Sequence, residues 1–432
     1  MAITSLGDEH EAFTQWAISK GVQIKGIAPA HFPGRRLGMI ANRTIKENDV
    51  MLSIPRTAML TRDSIPSSFV EQFPKDTPNH GILAAFLTHA DKDTLQDIDP
   101  WRKVWPSFRD FQDTIPLLWP DRLRTSSSTS WSGPSLLPPS ISGRWNTFRK
   151  TPAGADYEST YQNLLPQQEK RFRNSWECVV SAFPGTDPDA FAYYYHIVNS
   201  RSFYYVSSLG EEPEDWNDAV GMVPFADYFN HVDDAPCDVR FDGEKYTFRA
   251  TRQHEKGEEV YMSYGPHSND FLLVEYGFCL DDNESDSIYL DDIIFRELTL
   301  SQKTELASQE LFGNYEITSA GPTSIVQAVA CLKYMRKDPW RKHLRDKTGS
   351  NPPTTARIIN GWIEAYLKEC TTTIGIIETM LDQSKLPSPG FTPEFGSEQW
   401  EQERLAMLLS RWRQIERLCE NARAALLGTA RP

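Results

Sequence analysis

Hydrophobic and polar positions change rhythm several times along the chain, and each change predicts a different element. Residues 8–20 place Phe13, Trp16 and Ala17 on one side at i, i+3, i+4 spacing behind an acidic first turn, which predicts an amphipathic helix. Residues 37–41 and 50–54 are β-rich runs separated by the polar turn Lys46-Glu47-Asn48-Asp49, so two short strands are expected, the second closed by Pro55. From about 61 to 188 helical runs punctuated by proline take over, among them the apolar stretch 81–90 and a tryptophan-rich stretch around Trp101, Trp105 and Trp119. Within this block, eight of the eleven residues 125–135 are Ser or Thr, a composition that cannot support a core and predicts a mobile loop over 125–160. Leu136-Leu137-Pro138 recurs as Leu164-Leu165-Pro166 with weak periodicity between, so part of 125–163 reads as a lineage-specific insertion or retained intron sequence.

The β rhythm returns at 236–263. Val239 and Phe241, then Tyr246, Phe248 and Ala250, alternate with polar residues on either side of Asp242-Gly243, a strong hairpin signal. Lys256-Gly257 makes a further turn before a strand over 259–263. Residues 324–335, 356–382 and 398–427 are long and amphipathic, so the chain beyond about 296 is expected to form an all-α domain. The expected division is therefore an N-terminal helix with a first β part (1–60), a helical insertion (61–188), a β-rich core (189–295) and a helical domain (296–432).

Composition narrows the partners. The 432 residues are 39% hydrophobic, 24% charged and 12% aromatic, as in a globular protein of two or three packed units. The formal charge of −14 disfavours a phosphate backbone or an anionic lipid surface, so neither direct nucleic-acid binding nor membrane association is expected. No apolar run approaches the ~18–20 residues that cross a bilayer, and the first ten residues are polar, without a signal-peptide pattern. Six cysteines, none closer than 39 positions to the next, offer no C-x-x-C pair and suit a reducing compartment, cytoplasmic or nuclear. Dinucleotide-binding, P-loop, zincin and serine-hydrolase motifs are all missing, and no metal site is expected.

Rare residue types crowd together between 193 and 278, in YYYHIVNSRSF (193–203), VPFADYFNH (223–231), SYGPHSN (263–269) and EYGF (275–278). In isolation Asn230 reads as a turn former, His231 as a satisfied core histidine and the aromatics as packing. Together, and in this order, the motifs resemble the SET-domain protein methyltransferases, in the branch with a helical C-terminal substrate-binding domain that includes Rubisco large-subunit and fungal ribosomal-protein lysine methyltransferases. The resemblance covers nearly the whole chain. It implies an α+β fold of short strands with a pseudoknot, interrupted by a helical insertion and followed by helices.

The resemblance further implies S-adenosylmethionine as cofactor and a protein lysine as acceptor. Asn230 and His231 match the pair that holds the adenine and amino-acid ends of the cofactor. Arg201 matches the arginine that meets its carboxylate, with Ser200 beside it, and a planar guanidinium fork suits both oxygens. Asp227 matches an acidic residue at the cofactor and lysine cleft. Tyr264 matches the tyrosine beside the transferred methyl, contacting cofactor and acting in catalysis. Tyr276 and Phe278 match aromatic walls of the lysine channel. The first motif departs from the family's Gly-x-Gly: it reads Gly34-Arg35-Arg36-Leu37-Gly38, with Arg36 where the second glycine stands, so Arg36 and Leu37 are carried over as backbone contacts and Gly38 offers a shifted register.

Such a channel has a physical purpose. A free lysine at pH 7 lies about 3.4 units below its pKa, so presenting the neutral amine costs about 4.6 kcal/mol. An apolar tunnel and a neighbouring sulfonium both disfavour the ammonium, and no dedicated base is then needed. The expected substrate is a non-histone protein, with ribosomal proteins and translation factors as candidates, acted on by a monomer. Acidic clusters at 211–218 and 281–292 would steer a lysine-rich partner or form solvated loops. Two other readings remain open here: a catalytically silent SET-fold module that binds proteins, and a methyltransferase acting on a protein histidine.

Overall fold

The computed structural model describes residues 6–32, 36–124, 135–145, 161–206, 218–383 and 397–429. These fall into two compact units, each discontinuous in sequence: Met1–Phe111 with Glu169–Pro266, and Gln112–Gln168 with His267–Pro432. The division differs from the four-part expectation. Residues 61–111 join the strand-bearing unit, and 267–295 join the trailing helices, because compactness follows contacts between distant segments rather than changes of rhythm along the chain.

In the first unit the helix Asp8–Ser19 buries Phe13 and Ala17, as its spacing required. Strands follow: β1 (Gln23–Ile24), β2 (Ile27–Phe32), β3 (Arg36–Ala41) and β4 (Val50–Pro55). The helices Asn79–His89 and Pro188–Arg201 then pack on one another, the former buried on nearly every face from His80 to Leu87, which makes it a core helix rather than an amphipathic one. Its N-terminus is held by Asp218, whose carbonyl and carboxylate accept from Asn79 Nδ2 (2.7 Å) and the His80 N–H (3.2 Å). Strands β5 (Ser202–Tyr204) and β6 (Val220–Met222) pair antiparallel, and β7 (Cys237–Phe241), β8 (Lys245–Ala250) and β9 (Glu259–Val260) complete the set.

The strands form small sheets, in the orders β1-β4-β8-β7, β2-β3-β9 and β5-β6. The Asp242-Gly243 hairpin joins β7 to β8 with Gly243 at φ 94°, a left-handed conformation that glycine adopts without strain. Tyr246, Phe248 and Ala250 point inward in alternation, as the sequence pattern required. The strand expected over 259–263 stops at Val260. Beyond it the chain leaves its sheet, and Met262 forms an isolated parallel bridge with His231.

The second unit is helical, with one element the sequence did not suggest: a sheet of β10 (Ser287–Tyr289), β11 (Glu316–Thr318) and β12 (Gly321–Pro322). Strands of two or three residues are too short to leave a periodic signature. The helix Pro352–Gln383 buries Ile359, Trp362, Ile363, Tyr366, Cys370 and Ile377 against the helix Ser397–Thr429, which presents Leu405, Leu408, Trp412, Ile415 and Cys419. Leu136, Leu137 and Ile141 join the same core, and the carbonyl of Leu136 accepts from Trp412 Nε1 at 2.7 Å. The middle of the expected 125–160 loop is thus core material; 125–134 and 146–160 lie outside the described residues. Among the described residues no helix is long and apolar enough to cross a membrane, and no cluster of His, Cys, Asp or Glu could hold a metal ion.

Of the two acidic clusters, 211–217 lies outside the described residues. In the other, Asp286 is buried on Arg411, Asp291 accepts the N–H groups of Asn314 (2.7 Å) and Tyr315 (2.8 Å), and Asp292 pairs with Arg296. Asp281, Asp282 and Glu284 line an open cavity of about 390 Å³ together with Arg417.

Candidate functional site

Residues from four stretches of the first unit converge. The turn Ala226–Tyr228 begins behind Phe225, a non-glycine residue at φ 72°. That conformation costs roughly 1–3 kcal/mol and persists only where surroundings impose it. Here Phe225 is fully buried against Phe13 (ring centroids 5.9 Å apart) and Tyr228 (5.4 Å), so the N-terminal helix forms the wall that sets the turn. The turn directs the Asp227 carboxylate inward, where Oδ2 accepts from Trp101 Nε1 at 3.1 Å and lies 3.8 Å from an Arg201 guanidinium nitrogen. Burial pushes the Asp227 carboxyl above its usual range, and Arg201 opposes the shift.

Arg201 ends the helix Pro188–Arg201 and donates to the Asp227 carbonyl at 3.2 Å. Its Nε is buried with no hydrogen-bond partner among the described residues. Ser200 turns its hydroxyl back to the His196 carbonyl at 2.7 Å, so its proton is engaged within its own helix.

Asn230 and His231 follow the turn and meet the chain beyond β9. The Met262 N–H donates to the Asn230 carbonyl (3.0 Å), and the Val232 N–H to the Met262 carbonyl (3.3 Å). The Tyr264 N–H donates to His231 Nδ1 at 3.1 Å, which requires that nitrogen to be unprotonated. The two rings stack at 4.9 Å. The Tyr264 hydroxyl donates to the Phe229 carbonyl at 2.7 Å. Burial pushes its phenol up to about 12, with Arg201 pulling down and Asp227 pushing up. Leu37 contributes its carbonyl, which accepts from Asn230 Nδ2 at 3.0 Å. Of Arg36 only the backbone is described, paired with Phe32 across β2 and β3.

Leu37, Arg201, Asp227, Asn230, His231 and Tyr264 are therefore neighbours, as the motifs implied. Tyr276 and Phe278 belong to the second unit. There Tyr276 ends the helix Asn269–Tyr276, Gly277 caps it at φ 81°, and the two aromatic rings lie 6.3 Å apart. Three residues escaped the sequence reading of the site, wholly or in part. Trp101 holds Asp227 from 126 positions away, a separation no local pattern reveals. Glu259 accepts from Asn230 Nδ2 at 2.9 Å; its sole signal was a place in the alternating run beside Tyr261. Gly38, noted as a possible shifted register, is the glycine pressed against Asn230: a Cβ there would stand 2.7 Å from Asn230 Nδ2 and 2.7 Å from Glu259 Oε1.

The SET domain pattern matches residues 36–265, more than half of the chain. The ribosomal lysine N-methyltransferase set11 of Schizosaccharomyces pombe is 25% identical over 371 residues, covering 83% of this chain and 85% of that protein. SET domain-containing protein 4 of Mus musculus is 26% identical over 347 residues, covering 76% of this chain and 74% of its own. Among solved structures, Rubisco LSMT bound to AdoMet is similar with a TM-score of 0.54 at 17% identity, over 98% of this chain and 93% of that one, a likeness of fold. The chain belongs to the SET-domain family. The family resemblance is thus shown over residues 36–265, and the likeness of fold over 98% of the chain.

Proposed function

We propose that the chain is a protein-lysine N-methyltransferase that uses S-adenosylmethionine and acts on a lysine of a ribosomal protein. One observation carries the reading: the parallel bridge between His231 and Met262 brings Asn230 and Tyr264 together beside Arg201. The residues fit the cofactor. A buried arginine donor without a partner among the described residues suits a carboxylate, and Gly38 lets Asn230 and Glu259 approach β3 to where a Cβ would stand 2.7 Å from each.

When bound, S-adenosylmethionine supplies an electrophilic methyl group on a sulfonium. The chain does the rest by position. Arg201 would hold the carboxylate, and Asn230 with His231 the remaining polar ends. Tyr264 stays a neutral phenol at working pH, and because its proton goes to the Phe229 carbonyl, its oxygen meets any further group as an acceptor. It therefore orients rather than deprotonates. His231 Nδ1 is engaged with the Tyr264 N–H and Asp227 is turned toward Arg201 and Trp101, so neither is placed as a base. The amine arrives neutral, at the cost of about 4.6 kcal/mol at pH 7 that desolvation and a neighbouring cation offset. Tyr276 and Phe278 as walls of the lysine channel are part of this proposal and rest on the EYGF motif.

The substrate class rests on the relatives: set11 is named for ribosomal lysine methylation and matches most of both chains. All six cysteines are free thiols, which supports a cytoplasmic or nuclear place of work for a monomeric enzyme. The test is incubation with isotope-labelled S-adenosylmethionine and purified ribosomal proteins. A discrete labelled band is expected, lost with Tyr264→Phe. Label confined to non-ribosomal proteins of an extract would overturn the substrate class, and label on a histidine ring would overturn the lysine assignment.

A further inference from the structure

Glu259 holds Asn230 in a way the site's assigned roles do not explain. The Asn230 amide nitrogen donates one proton to the Leu37 carbonyl (3.0 Å) and the other to Glu259 Oε1 (2.9 Å). Both partners are acceptors only, so the amide has one permitted orientation: nitrogen toward β3 and β9, oxygen away from them. Glu259 is itself fixed, since Tyr261, two residues on and just past the end of β9, donates its hydroxyl to Glu259 Oε2 at 2.7 Å. Gly38 presses on the pair from β3, where the absence of a side chain lets both approach.

We infer that Glu259, braced by Tyr261, is a positioning residue that fixes the polarity of the Asn230 amide, so that the site receives a hydrogen-bond acceptor rather than a donor. The ligand group this suits is an ammonium or amino group, the cationic part of an amino-acid end. With the amide flipped, an NH₂ would confront that cation instead. The inference rests on the proposed cofactor reading and deepens it. It assigns the polarity of Asn230 to a carboxylate that stands outside the four sequence motifs, and it separates recognition of the amino-acid end from recognition of the nucleoside.

Two measurements on the full-length protein test it. In the first, NMR hydrogen exchange follows the Asn230 side-chain amide without any ligand. Both protons are expected to exchange slowly in the wild type. In Glu259→Ala at least one is expected to become fast, and in Glu259→Gln, whose carbonyl still accepts, protection is expected to return. In the second, calorimetry compares S-adenosylhomocysteine with methylthioadenosine, which lacks the amino-acid end. Glu259→Ala should weaken the first about tenfold, the worth of one charge-assisted hydrogen bond. It should leave the second within about twofold, and Glu259→Gln should recover most of the loss. Unchanged amide exchange in Glu259→Ala overturns the positioning role. Equal weakening of both ligands also overturns it, since that marks a general loosening of the strand edge. Slow wild-type exchange that Glu259→Ala abolishes, in a protein that binds neither ligand, would uphold the positioning while sinking the cofactor reading.

Discussion

Two arginines, one in each unit, show how differently the same side chain can be satisfied. Arg411 is fully buried, donates to Asp270 Oδ1 at 2.7 Å and grips both oxygens of Asp286 at 2.6 and 3.0 Å. Asp286 also accepts from the N–H groups of Asn269 and Ser287. Burial opposes the charge of Arg411, but Asp270 and Asp286 outweigh it and hold the guanidinium above its usual value, while burial pushes Asp270 up against the pull of Arg411. Arg201 is 23% exposed, holds one carbonyl at 3.2 Å, stands 3.8 Å from its carboxylate and keeps a buried donor without a partner among the described residues. A satisfied charge locks a fold. A charge left partly unmatched, in the unit where Gly38 cradles Asn230, is on the proposed reading the one offered to an anion.

Breaking the locked member should give the largest effect. Arg411→Met strands two buried carboxylates, so urea denaturation should show a loss of about 3–5 kcal/mol. A change under about 1 kcal/mol would erase the distinction between the two arginines. Next is Tyr264→Phe, which removes the phenol proposed to orient the reacting groups. Single-turnover methyl transfer should fall about a hundredfold or more, while stability drops by only about 1 kcal/mol for one hydrogen bond. A similar rate in the mutant would remove Tyr264 from the chemistry. Arg201→Met should weaken S-adenosylmethionine about tenfold or more in calorimetry, by loss of a charge-assisted contact.

Gly38→Ala sharpens the picture at the cradle. Its Cβ would stand 2.7 Å from both Asn230 Nδ2 and Glu259 Oε1, so one must move, and S-adenosylhomocysteine affinity should fall about tenfold. Retained affinity would mean that the cradle is slack. A further effect concerns pH. The transfer rate should climb about tenfold per unit between pH 7 and 9 as neutral lysine accumulates. No downturn is expected from Tyr264, because burial pushes its phenol up to about 12. Its contribution to stability is present in full below the unfolded value near 10 and is lost as pH rises through the folded value. A downturn that sets in below pH 9 and vanishes in Tyr264→Phe would contradict the neutral phenol.

The sequence disclosed the parts whose information is local. The Asp242-Gly243 hairpin, the amphipathic helix at the N-terminus and the paired C-terminal helices each carry a period or a turn residue that dictates form. Asn230, His231 and Tyr264 could be paired from their motifs, and the structure joins them by a two-residue bridge. What stayed hidden depended on partners far away. Arg411 sits within an ordinary charged helix until Asp270 and Asp286, 141 and 125 positions earlier, close around it. Trp101 is one tryptophan of a helical run until its ring nitrogen meets Asp227, and Glu259 the first residue of an expected strand until it meets Asn230. The discontinuous units were illegible for the same reason, since rhythm along a chain says nothing of which distant segments share a core.

The central claim is that Asn230, set between β3 and the bridge to Met262, forms part of an S-adenosylmethionine site. Titration calorimetry of the intact protein with S-adenosylmethionine measures it directly. The account predicts one-to-one binding in the wild type and none detectable in Asn230→Ala under the same conditions. Binding of equal strength in both proteins, or no heat from the wild type, would contradict it.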